Sequence, residues 1–249
     1  MQIDSKKLSG KAGVFESVIK DISPNDGMAK NTPEQYFTIG ASAASVINRS
    51  LSAARKPVGS VRRVLDYACG YGRVLRWLKA EFPNAYLLGV DADGKAAASA
   101  QDVLGVETRK LDITLAQPID DPFDLIWVGS LFTHLSERES KRVLQYLRRH
   151  LTDSGVLVFT THGSYVAHRI ETRDKTYNLS EDAMTQLLSG YKSTDFGFAE
   201  YSNLKDYGIS AATPSKVCEL AQTCDLDVKF FLSRGWAAHQ DVFACTAAT

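Results

Sequence analysis

The sequence predicts an α/β fold: a doubly wound, mostly parallel sheet of seven strands with an N-terminal helical cap and a C-terminal antiparallel hairpin. Three observations carry this. From residue 61 onward, short apolar runs with strand character alternate with runs of helical periodicity. One of them, Phe123 to Val128, holds the unbroken apolar stretch that central parallel strands show. Two close glycines, Gly70 and Gly72, stand between the first strand and the helix that follows it.

Taken in order, Val14, Phe15, Val18, Ile19 and Ile22 have helical spacing, and the turn formers Pro24-Asn25-Asp26-Gly27 end that segment. A second helix runs from about Thr32, with Pro33 at its first position, to about Leu51. Its small residues, Gly40-Ala41-Ser42-Ala43-Ala44, allow another element or a ligand to approach closely. Arg55-Lys56-Pro57 then connects to the alternating part. There, Val64 to Tyr67 reads as a buried strand and Arg73 to Phe82 as a helix that Pro83 stops. Tyr86 to Val90 is a strand, Gly94 to Leu104 a helix, Val106 to Leu111 a strand and Phe123 to Val128 the fourth strand. Ser136 and Glu139 form a capping-box pattern ahead of a helix striped by Val143, Leu144, Leu147 and Leu151. Thr152-Asp153-Ser154-Gly155 reads as a turn and Val156 to Thr160 as the fifth strand. After His162 the alternation stops. A short helix near Glu181 to Leu188 and one or two strands around Phe196 to Tyr201 are expected there. Thr213-Pro214 opens a last helix, and strands at Asp227 to Leu232 and Asp241 to Thr246 close the chain. The expected units are a helical cap (1–57), a ligand-binding core (58–163), an inserted lid (164–212) and a closing helix with two strands (213–249).

Among the 249 residues, 29 Lys and Arg balance 29 Asp and Glu, so no whole-protein field draws in nucleic acid or an anionic membrane. The first residues lack the apolar core of a signal peptide and carry acids, and no stretch approaches the roughly 18 apolar residues of a membrane span. Cys69, Cys218, Cys224 and Cys245 form no CxxC pair and no zinc spacing, which leads us to expect reduced thiols, a cytoplasmic location and no metal.

The loop after the first strand carries the chemistry. Glycine there permits positive φ and lets a ligand approach the backbone, and ligands of open parallel sheets bind beyond the carboxyl ends of the strands. The dinucleotide pattern G-x-G-x-x-G fails at its third glycine, where Leu75 stands. Asp66, four positions before Gly70, would repel a pyrophosphate but suits a positively charged group such as an α-amino group. Asp91 ends the second strand 21 positions after Gly70 (91 − 70), where a carboxylate accepts from ribose hydroxyls. Asp112 ends the third strand, within reach of an adenine amino group. Each of these acids taken alone is also an ordinary residue of strand ends.

As a set, "VLDYACGYGRVLRWL", "LLGVDAD", "KLDIT", "FDLIWVGSLFTHL" and "GVLVFTTHG" resemble the motifs of the class I S-adenosylmethionine-dependent methyltransferases, over about residues 60 to 163. The resemblance implies a Rossmann-like core and S-adenosylmethionine as cofactor. It places Asp66 at the methionine amino end, Ala68, Gly70 and Gly72 along the methionine portion, and Asp91 on the ribose with Ala92 beside the adenine. It also sets Asp112 and Ile113 around the adenine, and Gly129 and Ser130 near the reacting methyl. Arg73 departs from the small or polar residues usual after the second glycine; it either reaches a carboxylate or points to solvent.

A hydroxyl acceptor benefits from a general base, and His134 and His162 are the candidates, at the ends of strands four and five. Each also has a structural reading, as a hydrogen-bonded loop residue. Tyr36, Tyr201 and His239 are expected to contact substrate; Tyr191, Phe196, Phe198, Tyr201 and Tyr207 either form the small core of an inserted hairpin or wall the acceptor pocket. The layout "FTHL … THG … HQDVF" resembles that of bacterial methyltransferases near cell-surface glycan genes, which implies a sugar-containing acceptor. The expectation is O-methylation of a small molecule or glycan, without nucleic acid or membrane insertion, with a homodimer left open as the assembly. The alternatives left open are N-methylation of a small molecule or protein, a non-catalytic cofactor-binding subunit, and a NAD oxidoreductase, which Leu75 and Asp66 oppose.

Overall fold

The computed structural model describes residues 3–30, 32–116, 118, 119, 122–202 and 204–248. Its strands are β1 (Arg63–Tyr67), β2 (Tyr86–Asp91), β3 (Glu107–Lys110), β4 (Phe123–Val128), β5 (Leu151–Thr161), β6 (Phe196–Tyr201), β7 (Leu204–Ala212), β8 (Leu226–Trp236) and β9 (Gln240–Ala247). Its α-helices are α1 (Ala12–Phe15), α2 (Pro33–Ala53), α3 (Leu75–Glu81), α4 (Gly94–Leu104), α5 (Glu137–Arg149), α6 (Ser164–Glu171), α7 (Glu181–Thr194) and α8 (Pro214–Gln222). Seven strands form one sheet in the order β3-β2-β1-β4-β5-β9-β8, and β6 and β7 form a separate antiparallel pair. β1 to β5 run parallel, while β9 lies antiparallel between β5 and β8. The expected Rossmann-like fold with its closing hairpin is therefore present.

Alternation along each strand divides the core in two. Leu65, Tyr67, Ile126 and Val128 pack on one face with Leu144, Leu147 and Leu220 of α5 and α8. Val64, Leu125 and Trp127 pack on the other with Ile47, Leu51 and Leu78 of α2 and α3. Each of these large apolar side chains contributes about 1.5–3 kcal/mol when fully buried. The strand order reverses between β1 and β4, so the loops after these two strands part and open a crevice at their carboxyl ends.

Several elements differ from expectation for local reasons. Helix α1 stops at Phe15 instead of continuing to Ile22. The carbonyls of Ile19 and Asp21, which a helix would use internally, accept from the Arg76 guanidinium at 2.9 and 2.6 Å. Phe15 and Val18 are still buried, against Phe37 and Trp77. Helix α3 begins at Leu75 rather than Arg73. The expected turn at residues 152–155 is an irregularity within β5: Phe123 pairs with Leu151 and Leu125 with Val156, so four residues stand opposite Asp124. Lys56 holds this place by bonding Asp124 at 2.9 Å and Ser154 at 3.1 Å. Helix α7 extends to Thr194, and helix α6 was not anticipated in the polar stretch after His162. No helix among the described residues is long and apolar enough to cross a membrane.

The two loop glycines have different reasons to be glycine. Both have positive φ, +53° at Gly70 and +83° at Gly72. A Cβ at Gly72 would lie 2.5 Å from Leu104 Cδ1 and 3.4 Å from Ala100 Cβ, whereas one at Gly70 would meet nothing within 4 Å. Gly72 thus lets α4 pack against the loop. Gly72→Ala combines overpacking with backbone strain and should cost about 1–3 kcal/mol, or roughly 2–4 °C of Tm per kcal/mol in a chain of this size. Thermal unfolding of G72A beside G70A checks this; an equal or smaller loss in G72A would refute it.

Candidate functional site

The crevice is a cleft of about 360 Å³, and Asp66, Gly70, Asp91, Gly129, Ser130 and His134 are among its walls. Asp66 is the next-to-last residue of β1 and is 2 % exposed. Its Oδ2 has no hydrogen-bond partner among the described residues. Burial, followed by the neighbouring Asp91 carboxylate, pushes its carboxyl up to about 8. The chain then turns through Ala68 at φ +66°. The amides of Ala68 and Cys69 both donate to the Val90 carbonyl, at 2.8 and 3.0 Å. The next amide, Gly70 N–H, donates to Asp91 Oδ2 at 2.8 Å, while Asp91 Oδ1 accepts from Asp93 N–H at 2.8 Å. One carboxylate therefore ties the loops after β1 and β2 together.

The opposite wall starts at Gly129, where a Cβ would stand 3.0 Å from both Trp127 and Trp236. Ser130 follows at φ +63°. Its amide donates to Thr160 Oγ1 at 2.9 Å, Thr160 Oγ1 donates to Gln240 Oε1 at 2.6 Å, and Gln240 Nε2 returns to Ser130 Oγ at 2.9 Å. This closed ring fixes the end of β4 against β5 and β9. His134 lies further along the same loop. Its Nδ1 bonds the Gly208 carbonyl at 2.7 Å, so Nδ1 carries the proton and Nε2 keeps its lone pair. The ring stacks on Tyr207, with centroids 4.9 Å apart and planes at 17°. Burial lowers its pKa below the ordinary 6.5 and keeps it neutral at pH 7.

The N-terminal segment supplies a third wall, Asp26, Gly27 and Met28. Asp26 accepts from Tyr36 Oη at 2.7 Å and from Met28 N–H at 2.9 Å. Arg73 completes this side. Its guanidinium lies 5.6 Å over the Trp236 ring, and desolvation draws its pKa down against the opposing effects of Tyr36 and Asp26. The arginine left unassigned by the sequence thus faces the cleft rather than solvent.

Other expected site residues stand elsewhere. Gly72, Ala92, Asp112 and Ile113 are not among the residues lining the cleft. β3 ends at Lys110, and Asp112 accepts from Thr114 N–H at 2.9 Å in a turn that leaves Ile113 65 % exposed. Tyr36 is 1 % exposed and supports Asp26 from within the N-terminal core rather than contacting a substrate. His162 is 4 % exposed, and its Nδ1 bonds the Ser210 carbonyl at 3.1 Å. Burial, then His239 and His134, push its pKa down to about 3, so it is a neutral structural residue away from the cleft. His239 meets Tyr177, its Nε2 3.4 Å from the Tyr177 hydroxyl. Tyr201 packs behind Tyr207, with ring centroids 6.2 Å apart. Asp26, Met28, Tyr207 and Trp236 were not singled out for the cleft. Asp26 was legible only as a turn residue, and Tyr207 stood among five aromatics without a mark to separate it.

The architecture, a seven-stranded mostly parallel sheet with a cleft at its switch point, is similar to that of class I S-adenosylmethionine-dependent methyltransferases. Residues 64–155 match the family model of the methyltransferase domain. A malonyl-[acyl-carrier protein] O-methyltransferase of Bacillus anthracis is 30 % identical over 142 residues, 56 % of this chain and 51 % of that protein. The chain thus spans about half the length of this curated relative. Among solved structures, an S-adenosylmethionine-dependent methyltransferase from Clostridium acetobutylicum superposes with a TM-score of 0.58 at 14 % identity, over 84 % of this chain and 92 % of that one. A sugar N-methyltransferase from Streptoalloteichus superposes at 0.57 and 18 % identity, over 84 % and 88 %. These likenesses are ones of fold.

The cleft fits the cofactor of this family. A buried carboxyl oxygen without a partner suits a cationic amino group, and the Cβ-free backbone at Gly70 leaves room beside it. The isolated carboxyl also has a signature of its own. Its folded pKa, about 8, lies above the unfolded value of about 3.9. The native state therefore favours the proton, and the stability Asp66 contributes is present below pH 4 and lost as pH rises to 8. Asp66→Asn should unfold at a higher Tm than the parent in the ligand-free state, with a gap that widens from pH 5 to 8.5. Thermal scans across that range would refute the assignment if the gap were flat.

Proposed function

We propose that the protein transfers the methyl group of S-adenosylmethionine to an oxygen of a small or sugar-containing acceptor held beside His134 and Tyr207. One observation carries this reading: a single cleft joins the unpartnered carboxyl of Asp66 at one end to a histidine with an unengaged Nε2 at the other. The relative named an O-methyltransferase supports an oxygen acceptor, and the fold neighbour named a sugar N-methyltransferase supports a sugar-containing one.

In this reading Asp66 takes the cationic amino end, directly or through a water. Arg73, whose guanidinium makes no hydrogen bond among the described residues, takes the adjoining carboxylate, the pairing its charge and fork geometry suit. Asp91 retains lone pairs beyond its bonds to Gly70 and Asp93 and accepts from ribose hydroxyls. Ser130, fixed by Thr160 and Gln240, places the end of β4 beside the reacting centre. When bound, the cofactor supplies a methyl carbon already activated by its sulfonium. The chain supplies alignment and a proton acceptor. The Gly208 carbonyl holds the His134 ring with Nε2 free, so Nε2 receives the hydroxyl proton as the new carbon–oxygen bond forms.

Calorimetric titration with S-adenosylmethionine, S-adenosylhomocysteine and NAD tests the cofactor: the sulfonium compound and its product bind and NAD does not. Asp91→Ala weakens that binding at least about tenfold, an order of 1.4 kcal/mol, while His162→Ala leaves it within about twofold once folding is verified. The reverse order would remove Asp91 from the site. His134→Gln should lower kcat about 10²–10⁴-fold with cofactor affinity kept. Because the His134 pKa lies below 6.5, the parent rate is flat above pH 7 and falls on acidification. An unchanged rate in H134Q at pH 8 would instead indicate an amine acceptor, which needs no base.

A further inference from the structure

A second set of side chains converges around the turn that follows the cleft residue Trp236. Trp236 ends β8, and the turn that follows it carries His239. His239 meets three other rings edge-on or tilted: His162 at 5.4 Å, Tyr165 at 5.7 Å and Tyr177 at 5.8 Å. Three cations cap these rings. The guanidinium of Arg234 lies 4.1 Å over Tyr165, that of Arg169 lies 5.6 Å from the same ring, and the ammonium of Lys175 lies 5.0 Å over Tyr177. They come from separate parts of the fold: α6, the loop after it, and the end of β8.

The charge of this cluster is not neutralised. Arg169 pairs with Asp174. Lys175 and Arg234 make no salt bridge among the described residues; Arg234 Nε donates only to the Ala238 carbonyl, at 3.0 Å. Asp241 lies beneath, 3 % exposed, and its Oδ1 is taken by Ser233 and by the Arg234 backbone amide. The cations are close enough to act together on His239, whose pKa burial lowers first and Lys175, Arg169 and Arg234 lower further. Like charges gather in a protein of zero formal net charge only against repulsion, so their convergence asks for an anionic partner.

The backbone of the same loops is strained. Tyr177 (+54°), Asn178 (+62°), Arg234 (+51°), Ala237 (+53°) and Ala238 (+53°) all have left-handed φ without being glycine. Such conformations persist where the surroundings impose them, and they concentrate at ligand-binding positions.

We propose that Arg169, Lys175, Arg234 and His239 form an oxyanion subsite for a phosphate group of the acceptor. Two unneutralised cations match a phosphate dianion. Lys175 supplies a point charge and Arg234 a fork whose two terminal nitrogens have no hydrogen-bond partner among the described residues, while the tyrosine rings keep the cations in place. The acceptor would then be a phosphorylated small molecule or sugar, its phosphate on this cluster and its hydroxyl toward His134. Only this last assignment rests on the methyl-transfer reading; binding of phosphate to the cluster is read independently of it.

The test is titration of the isotope-labelled chain with inorganic phosphate at constant ionic strength, following the His239 imidazole and Tyr177 amide resonances. Saturable shifts are expected, and the Lys175→Gln/Arg234→Gln double variant should weaken binding at least about tenfold. Both side chains are exposed, so the variant should keep the parent Tm, and Lys175→Arg should retain binding. Equal shifts in parent and double variant, or equal shifts with chloride, would overturn the site. So would tighter binding of citrate than of phosphate, or of a single-stranded oligonucleotide far more tightly with a steep salt dependence. S-adenosylhomocysteine titrated into the same samples reads the cofactor site separately. A chain that binds phosphate but not this product upholds the subsite and sinks the methyl-transfer reading, and the converse result does the opposite.

Discussion

The site depends on one constraint, that a buried carboxyl near the end of β1 and a partly buried one at the end of β2 lie side by side, and only the second has both oxygens bonded among the described residues. Asp91 spends both oxygens on backbone amides, one in its own loop and one in the loop after β1. Asp66 beside it has an oxygen with nothing to bind. A buried unsatisfied polar group costs on the order of 1–3 kcal/mol, and a like charge nearby adds to the cost. The sheet tolerates this because the flanking strand residues are fully buried and leave little freedom to relax. The cleft is thus held in a state that a cationic ligand would improve.

The walls of the cleft come from regions far apart in the chain, each anchored in a different way. The N-terminal wall is held from below by buried polar groups: Arg76 binds the carbonyls of Ile19 and Asp21 and reaches Tyr36, which in turn holds Asp26. The wall after β4 is held by the Ser130–Thr160–Gln240 ring. Between them Arg73 rests against Trp236, and Trp236 Nε1 donates to the Ile39 carbonyl of α2 at 3.1 Å. The small-residue stretch at Gly40 finds its reason here too. A Cβ at Gly40 would stand 2.3 Å from the Trp77 indole, so the close approach is made by another helix, not by a ligand.

Periodic features of the sequence carried over to the structure, and features set by distant partners did not. The alternation after residue 61 foretold the parallel sheet, and the glycines with Asp66 and Asp91 foretold the loops that form the cleft, because each is local chemistry at a strand end. Helical spacing at residues 14–22 misled, since the partner that diverts the chain, Arg76, is more than fifty positions away. His162 looked equivalent to His134, both ending strands of one sheet. What separates them is β7, whose Ser210 carbonyl binds one ring inside the protein while its Gly208 carbonyl turns the other toward the cleft. No pattern in either strand announces that pairing. Tyr207 and Tyr201 both approach His134, and what separates them is that the Tyr207 ring stacks on it while the Tyr201 ring lies tilted and farther off.

The docking of β7 has a further consequence. Gly208, Ser210 and Ala212 donate their amides to the carbonyls of His134, Thr133 and His162, and Ser210 Oγ donates to the Phe132 carbonyl at 2.8 Å. Apart from the Ser210 hydroxyl, the small sheet is therefore joined to the large one through main-chain groups that no side-chain substitution removes. In hydrogen exchange these amides belong with the slow, globally opening set rather than with a fraying loop. A side chain that β7 presents to the cleft, such as Tyr207, can therefore change while the strand beneath it keeps its position.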